Sequence, residues 1–293
     1  PLPVDLDRLA RPATEGEVRH ALAALIAAVP GARPRSVPSQ LGRGVPGALL
    51  PGAGPAILLT AAQHGNEPTG VVGALLAAHA LAAEGAALAL APLENPDGAA
   101  LHARLLRDWP GHMHHAARPL ADGRDVQAAP DAEGALRHRL AAESGARLHL
   151  NLHGYPAGPW LRPFTGGPPR GFEDWALPRG VFLILRAAPG WQAAGEAALA
   201  AAARALSADP EIAALTRRQR AWFRRLRPDA PEESRIAEIP VLRRPALPGA
   251  PCPVEIVTET PDETVAGARF RLLVRAQTLA ALAAARDWRR RAP

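Results

Sequence analysis

The stretch Ala56-Ile57-Leu58-Leu59-Thr60-Ala61-Ala62-Gln63-His64-Gly65-Asn66-Glu67-Pro68-Thr69-Gly70 decides the fold of this chain. Its first six residues form a short apolar run behind Gly54 and Pro55, which predicts a buried β-strand. Pro68 suits the first turn of a helix, so we expect a helix to continue from Thr69 to Ala83. Such a strand-to-helix turn is typical of α/β proteins, in which ligands bind beyond the carboxyl ends of the strands.

Further strands and helices alternate along the chain. The alternation predicts an α/β fold with a largely parallel sheet and helices on both faces. We treat residues 1–293 as a single domain, with residues 207–250 as a candidate insertion or lid. Strands are predicted near residues 33–42, 86–93, 147–153, 180–186 and 254–258, helices at 15–29, 132–144, 191–206, 209–227 and 268–290, and irregular chain at 102–130, 162–179 and 228–253.

The composition argues against several classes of partner. The net charge is +6, but the chain has no lysine and its Arg residues are spread along the sequence, which indicates a compositional bias rather than a nucleic-acid surface. Cys252 is the only cysteine, so an intramolecular disulfide and a cysteine zinc site are excluded. No apolar run has membrane-spanning length, and the N-terminus does not resemble a secretory signal, so we expect a cytoplasmic protein without membrane contact.

Three polar groups follow or interrupt the predicted strands. His64 and Glu67 flank the flexible Gly65 and can turn toward one point as zinc ligands, although Asn66 or Glu67 could instead cap the following helix. His153 ends a strand at Gly154 and is expected at the same edge of the sheet, the alternative being a histidine bonded to a backbone carbonyl. His149 lies deeper in that strand and is expected to make structural hydrogen bonds.

Two carboxylates interrupt the apolar strand Val254-Glu255-Ile256-Val257-Thr258-Glu259. Carboxylates are costly to bury unless they are paired or used. Glu259 lies toward the carboxyl end of the strand, where a site would be, and is the candidate general base. Glu255 lies at the start of the strand, where we expect it to be exposed or paired with an Arg.

Four polar segments follow one another along the chain. In order, they are Gln63-His64-Gly65-Asn66-Glu67-Pro68-Thr69-Gly70, Asn95-Pro96-Asp97-Gly98, Leu152-His153-Gly154-Tyr155 and Thr258-Glu259-Thr260-Pro261. Together these segments resemble those of the zinc carboxypeptidases. The resemblance implies a mixed eight-stranded sheet, a zinc ion held by His64, Glu67 and His153, and Glu259 as the catalytic carboxylate.

The resemblance also implies an Arg that polarises the scissile carbonyl. Arg118 is the first candidate for this role, with Arg104 and Arg107 behind it, and Arg107 and Tyr155 are the candidate substrate-binding residues. The Asn-Arg pair that clamps a substrate's terminal carboxylate in the digestive members is missing from the corresponding stretch, residues 122–126. A metal site is therefore expected, but the resemblance does not extend to carboxypeptidase specificity.

The predicted function is hydrolysis of a peptide or peptide-like amide bond by zinc-activated water and a glutamate general acid/base. The alternative is a zinc-dependent deacylase of N-acyl amino acids, of the aspartoacylase and succinylglutamate desuccinylase type, which would use the same three ligands. A non-catalytic binding protein on an inactive enzyme scaffold is disfavoured because the complete set of candidate residues is present. We expect one zinc ion per chain and a peptide or small amide as the substrate.

Overall fold

A computed structural model describes residues 6–112, 114–156 and 178–291. These residues form seven α-helices and one mixed sheet of nine strands. The helices are α1 (Glu15–Ala28), α2 (Thr69–Ala83), α3 (Pro96–Asp108), α4 (Ala135–Ser144), α5 (Gln192–Ala208), α6 (Pro210–Leu226) and α7 (Gly267–Arg291). The strands are β1 (Arg33–Pro38), β2 (Gly44–Leu50), β3 (Ala53–Ala61), β4 (Ala86–Ala91), β5 (Leu148–Pro156), β6 (Phe182–Ala187), β7 (Arg235–Ile236), β8 (Ile239–Pro245) and β9 (Val254–Glu263).

The sheet has its parallel strands at the centre. The strand order is β1-β2-β4-β3-β5-β9-β6-β8-β7. Strands β4, β3, β5 and β9 run parallel to one another, and β6 joins β9 in the antiparallel direction. The carboxyl ends of β3 and β5 therefore meet at one edge of the sheet, beside the second half of β9. This confirms the predicted mixed sheet; the ninth strand is the two-residue β7 at the edge.

Helices cover both faces of the sheet, as predicted. On one face, the largest core cluster joins Leu148, Leu150 and Leu152 of β5 to residues of α1, α2, α5 and α7. On the other face, a smaller cluster joins Leu136 and Leu140 of α4 to residues of β2, β3 and β4. Beyond α4, this second face leaves the carboxyl end of β5 and parts of β9 and β6 open to a cavity.

Three segments differ from the sequence prediction. Helix α3 was not predicted, and it extends into the stretch expected to be irregular from residue 102. It begins at Pro96 because the Asn95 side chain accepts a hydrogen bond from the Gly98 amide at 2.8 Å and proline suits the first turn. Strand β2 was missed because glycine and proline interrupt its pattern. The prediction of irregular chain at residues 228–253 was wrong for 239–245, where β8 pairs with β6.

The structure describes the whole candidate insertion or lid, but only the end of the loop predicted at 162–179. Residues 207–250 contribute helix α6 and strands β7 and β8, and β8 belongs to the main sheet. Most of the loop predicted at 162–179 lies outside the described residues. Within the described part of the chain, no helix is both long and apolar enough to cross a membrane.

Candidate active site

The turn after β3 places His64 and Glu67 on one side of the chain. Ala62 leaves the strand with a left-handed backbone (φ 51°), and the Glu67 amide donates to the His64 carbonyl at 3.2 Å. Gly65 packs against the start of α3, where a Cβ atom would lie 2.1 Å from the carbonyl carbon of Gly98. Only glycine fits this close approach, so Gly65 helps to fix the turn that presents His64 and Glu67.

His153 reaches the same point from the end of β5. Its Nδ1 lies 3.1 Å from Glu67 Oε2, and Nδ1 of His64 lies 2.6 Å from Glu67 Oε1. The two imidazole rings meet edge to face, with centroids 4.9 Å apart. Three potential ligand atoms, one from each residue, lie within 4.8 Å of one another, and all three side chains are buried. The structure thus brings the three predicted metal ligands together.

Electrostatic pairing compensates for the burial of these groups. Burial alone disfavours the charged form of Glu67, but the facing imidazoles of His64 and His153 outweigh it and hold the Glu67 pKa below its usual range. Burial likewise lowers the pKa of His64, but Glu67 and Asp125 outweigh it and raise that pKa. Glu67 is therefore an ionised carboxylate between two nitrogen donors.

Asp125 orients His64 from the other side. Its Oδ2 lies 2.9 Å from Nε2 of His64, and its Oδ1 accepts a hydrogen bond from Gln63 Nε2 at 2.7 Å. Gln63 in turn accepts from Arg137 of α4 at 2.9 Å, and Arg137 is paired with the buried Glu94 at 2.6 Å. A carboxylate on the distal nitrogen of a metal-binding histidine fixes its tautomer and ring orientation.

Glu259 faces the metal candidates from β9. It pairs with His153 in the register of β5 and β9, it is buried, and its Oε2 has no hydrogen-bond partner among the described residues. Burial raises the Glu259 pKa above its usual range; His153 opposes this shift, and the nearby charge of Glu67 adds to it. A carboxyl group with a raised pKa and an uncommitted oxygen is suited to take up and release a proton.

Glu255 has different surroundings on the same strand. It accepts a hydrogen bond from Asn151 at 3.0 Å, forms an ion pair with Arg186 at 3.0 Å, and lies 3.3 Å from Nδ1 of His149. His149 also contacts Thr60 Oγ1 at 2.8 Å, in line with the structural role expected of it. Glu255 is thus paired with an Arg, but it is buried rather than exposed.

A cavity of about 340 Å³ opens over these groups. Arg118 lies on its wall, with Nη1 3.3 Å from Asp125 Oδ2. Tyr155 also lines the cavity, but its hydroxyl donates to the Gly180 carbonyl at 2.6 Å and accepts from the Arg179 amide at 2.9 Å. The Tyr155 hydroxyl is therefore engaged by backbone groups and is not available to a molecule in the cavity.

Arg107 and Arg104 lie elsewhere. Both line a separate cavity between α1 and α3, on the other side of the 62–68 turn. Arg107 does not line the cavity over His64, because helix α3, which was not predicted from the sequence, directs it to the other side. Of the three Arg candidates, Arg118 alone lines that cavity.

Comparisons with known proteins extend the structural result. No protein-family model and no curated protein matches the chain. Among solved structures, a metallo-carboxypeptidase from Pseudomonas aeruginosa, in complex with (2-guanidinoethylmercapto)succinic acid, is 14% identical with a TM-score of 0.54, over 95% of this chain and 70% of that one. The chain has the fold of the metallo-carboxypeptidases.

Two further structures share this carboxypeptidase fold. A candidate metallopeptidase from Shewanella denitrificans is 15% identical with a TM-score of 0.54, over 91% of this chain and 88% of its own. Bovine thrombin-activatable fibrinolysis inhibitor, in complex with tick carboxypeptidase inhibitor, is 10% identical with a TM-score of 0.50, over 94% and 96%. At such low identity the likeness concerns the fold, so the function must be argued from the site.

Sequence reasoning missed two residues that support the site. Asp125 was noted only as part of the stretch without an Asn-Arg pair, whereas it contacts His64 directly. Asp262 of β9 accepts from the amide and the hydroxyl of Thr69 at 2.9 and 2.6 Å, and so caps helix α2 directly after Glu67 and Pro68. Asp262 lies beyond the strand predicted at residues 254–258, and Asp125 lies in the stretch predicted to be irregular, so no local pattern indicated the partner of either carboxylate.

Proposed function

We propose that the chain is a zinc-dependent hydrolase that cleaves a peptide or peptide-like amide bond. One observation carries the proposal: the Nδ1 atoms of His64 and His153 converge on Glu67 in a buried site, beside the uncommitted carboxylate oxygen of Glu259. Two imidazoles and one carboxylate with an open side are the donor set of catalytic zinc sites.

The donor set fits zinc better than magnesium or calcium. Magnesium and calcium prefer oxygen ligands, whereas imidazole nitrogens with one carboxylate suit zinc. Asp125 on Nε2 of His64 leaves Nδ1 of that ring as the nitrogen available to a metal. Bound there, zinc would supply the chemistry of lowering the pKa of a water molecule and polarising a carbonyl oxygen. We assign one zinc ion to each chain.

Side chains of the protein would transfer the proton and stabilise the developing negative charge. Glu259 takes the proton of the attacking water on its carboxylate and passes it to the nitrogen of the leaving amine, which its raised pKa favours. The Arg118 guanidinium donates hydrogen bonds to the oxygen on which negative charge develops. Asp125 holds both the His64 ring and Arg118, so one carboxylate orients a metal ligand and the oxyanion donor.

The test combines metal analysis with two substrate panels. The purified protein should contain about one zinc per chain and should hydrolyse members of a peptide panel, and a chelator should abolish this activity. Cleavage of N-acyl amino acids alone would replace the peptidase assignment with the deacylase alternative. A protein that binds zinc and cleaves neither panel would refute the hydrolase function.

A further inference from the structure

Arg186 lies in the same cavity as the metal candidates, and the proposed chemistry does not use it. It extends from β6, opposite Glu255 in the register of β6 and β9, whereas Glu259 lies opposite Phe182. Arg186 is thus four residues along β6 from the catalytic end of the cavity, or about 13 Å at ~3.3 Å per residue. A substrate that contacts both ends must extend along the two strands.

The wall between the two ends is apolar. Ile184 and Val257 line the cavity from β6 and β9, and they form a buried cluster with Tyr155 and Phe182. None of these side chains presents an uncommitted polar group, because the Tyr155 hydroxyl is held by backbone groups. This wall suits methylene groups, so a polar substrate group is best placed beyond it, at Arg186.

The Arg186 guanidinium is held by one ion pair, and most of its N–H groups remain available to a ligand. Its one hydrogen bond within the described residues joins Nη1 to Glu255 Oε2 at 3.0 Å. The Glu255 carboxylate is also contacted by Asn151 and His149, and these partners together outweigh burial and lower the Glu255 pKa. Since a guanidinium has five N–H donors, most of those of Arg186 remain available to a ligand.

The charge around Arg186 favours an anion. Arg244 of β8 lies beside Arg186 in the parallel register, on the same face of the sheet. Its guanidinium donates to the backbone carbonyl of Arg243 and forms no ion pair within the described residues. Glu255 does not line the cavity, so a ligand meets the guanidinium rather than the carboxylate of the pair. Arg presents a planar fork that binds carboxylates through two hydrogen bonds.

We propose that Arg186 selects substrates that carry a carboxylate separated from the scissile amide by a short aliphatic spacer. This inference rests on the hydrolase function proposed above and names its substrate class. The carboxylate has two sources in a peptide: an acidic side chain next to the scissile bond, or the terminal carboxylate of the chain. Either would place methylene or backbone carbon atoms against Ile184 and Val257 and the charge at Arg186.

The experiment uses three substrates with the zinc-loaded protein. Benzoyl-glycyl-glutamate has both carboxylates, benzoyl-glycyl-glutamine lacks the side-chain carboxylate, and the α-amide of the first lacks the terminal carboxylate. Removal of the recognised carboxylate should lower kcat/KM on the order of 10- to 100-fold, as for other hydrogen bonds to charged groups. The substrate that loses activity identifies the source.

Arg186→Gln should remove this preference, with the effect mainly in KM. The double variant Arg186→Gln with Glu255→Gln leaves no unpaired buried carboxylate and should lose the preference equally, even where the single variant folds poorly. Arg243→Gln is the matched control: it removes a neighbouring positive charge, but Arg243 is bound by Glu196 of α5 at 2.5 Å. The control should keep the preference.

Binding separates this inference from the proposed function. Calorimetric titration of benzoyl-glycyl-glutamate into Glu259→Gln, with and without Arg186→Gln, measures recognition without turnover. Hydrolysis of all three substrates at similar rates, or a preference that survives Arg186→Gln, would overturn the inference alone. Binding that depends on Arg186, without hydrolysis by the parent protein, would overturn the function and leave the inference standing. Neither binding nor hydrolysis would overturn both.

Discussion

Replacing Glu259 by Gln tests the central chemical assignment. The change keeps the size and planar shape of the side chain, so it leaves no cavity in β9. It removes the ability to accept a proton at the oxygen that has no partner among the described residues. Because burial of the ionised form is unfavourable at this position, a neutral amide should be tolerated without loss of the fold.

The expected loss of turnover follows from the role of the carboxylate. General acid/base residues contribute ~10²–10⁴ in rate, which corresponds to about 2.7–5.4 kcal/mol of activation free energy at ~1.36 kcal/mol per tenfold. A small residual rate should remain, since zinc by itself lowers the pKa of a bound water toward ~7. Zinc content should stay at the parent level, because the three donors, His64, Glu67 and His153, are unchanged.

The assay measures kcat and zinc content for the parent, Glu259→Gln and Glu255→Gln on one neutral amide substrate. Glu255 has the same chemistry on the same strand, but it is engaged by Asn151, Arg186 and His149. Its substitution should appear mainly as a lower melting temperature, with most of kcat retained on a substrate without a carboxylate. The two variants therefore separate a catalytic carboxylate from a structural one.

Two results would refute the assignment. Parent-like kcat for Glu259→Gln would show that this carboxylate does not transfer the proton. The reversed pattern, with Glu255→Gln inactive and Glu259→Gln active, would assign the base to the other carboxylate. Loss of zinc from Glu259→Gln would instead show that Glu259 helps to hold the metal.

Four further predictions concern the metal, its support and the stability of the chain. His153→Ala should reduce the zinc content, about one ion per chain in the parent, to near zero by elemental analysis; full retention would contradict the ligand assignment. Asp125→Asn should weaken zinc affinity by about 10- to 100-fold in a chelator competition, because the substituted amide no longer provides a carboxylate for the His64 ring. Arg118→Ala should lower kcat ~10²–10³-fold with zinc retained, and an unchanged kcat would place the oxyanion donor elsewhere. Hydrogen bonding to Arg11 and Thr14 outweighs burial and lowers the pKa of Glu17 to about 2, so this stabilisation should be complete above the usual pKa of about 4.3 and lost toward pH 2. The drop in melting temperature between pH 6 and pH 3 should accordingly be smaller for Glu17→Gln than for the parent.

Local patterns predicted the elements that carry the site. The apolar run before Ala62 and the proline after Glu67 predicted β3 and α2, and the strand that reaches Gly154 predicted that His153 lies at the same edge of the sheet. The same kind of reasoning missed helix α3, because an Asn-Pro pair occurs both in turns and at the start of helices. The hydrogen bond from the Gly98 amide to the Asn95 side chain shows that the pair begins a helix here.

The position of Arg107 shows that distance along the sequence does not predict which Arg lies at the site. It was chosen because it follows the Asn-Pro-Asp-Gly segment, but α3 directs it into the cavity beside α1. Arg118 lies after the helix and reaches the wall over His64. The choice between them depends on how the segment is folded, which composition and spacing do not report.

The sequence by itself determined the strand-turn-helix that presents His64 and Glu67, because hydrophobic periodicity and the conformational limits of glycine and proline act over a few neighbouring residues. Only the tertiary structure decided the partners of the polar groups. Asp125 meets His64 across 61 residues, Asp262 caps Thr69 across 193, and Arg186 meets Glu255 across 69. These pairs depend on strand register and loop path, and a buried charge adopts whichever partner the packing brings within hydrogen-bond distance.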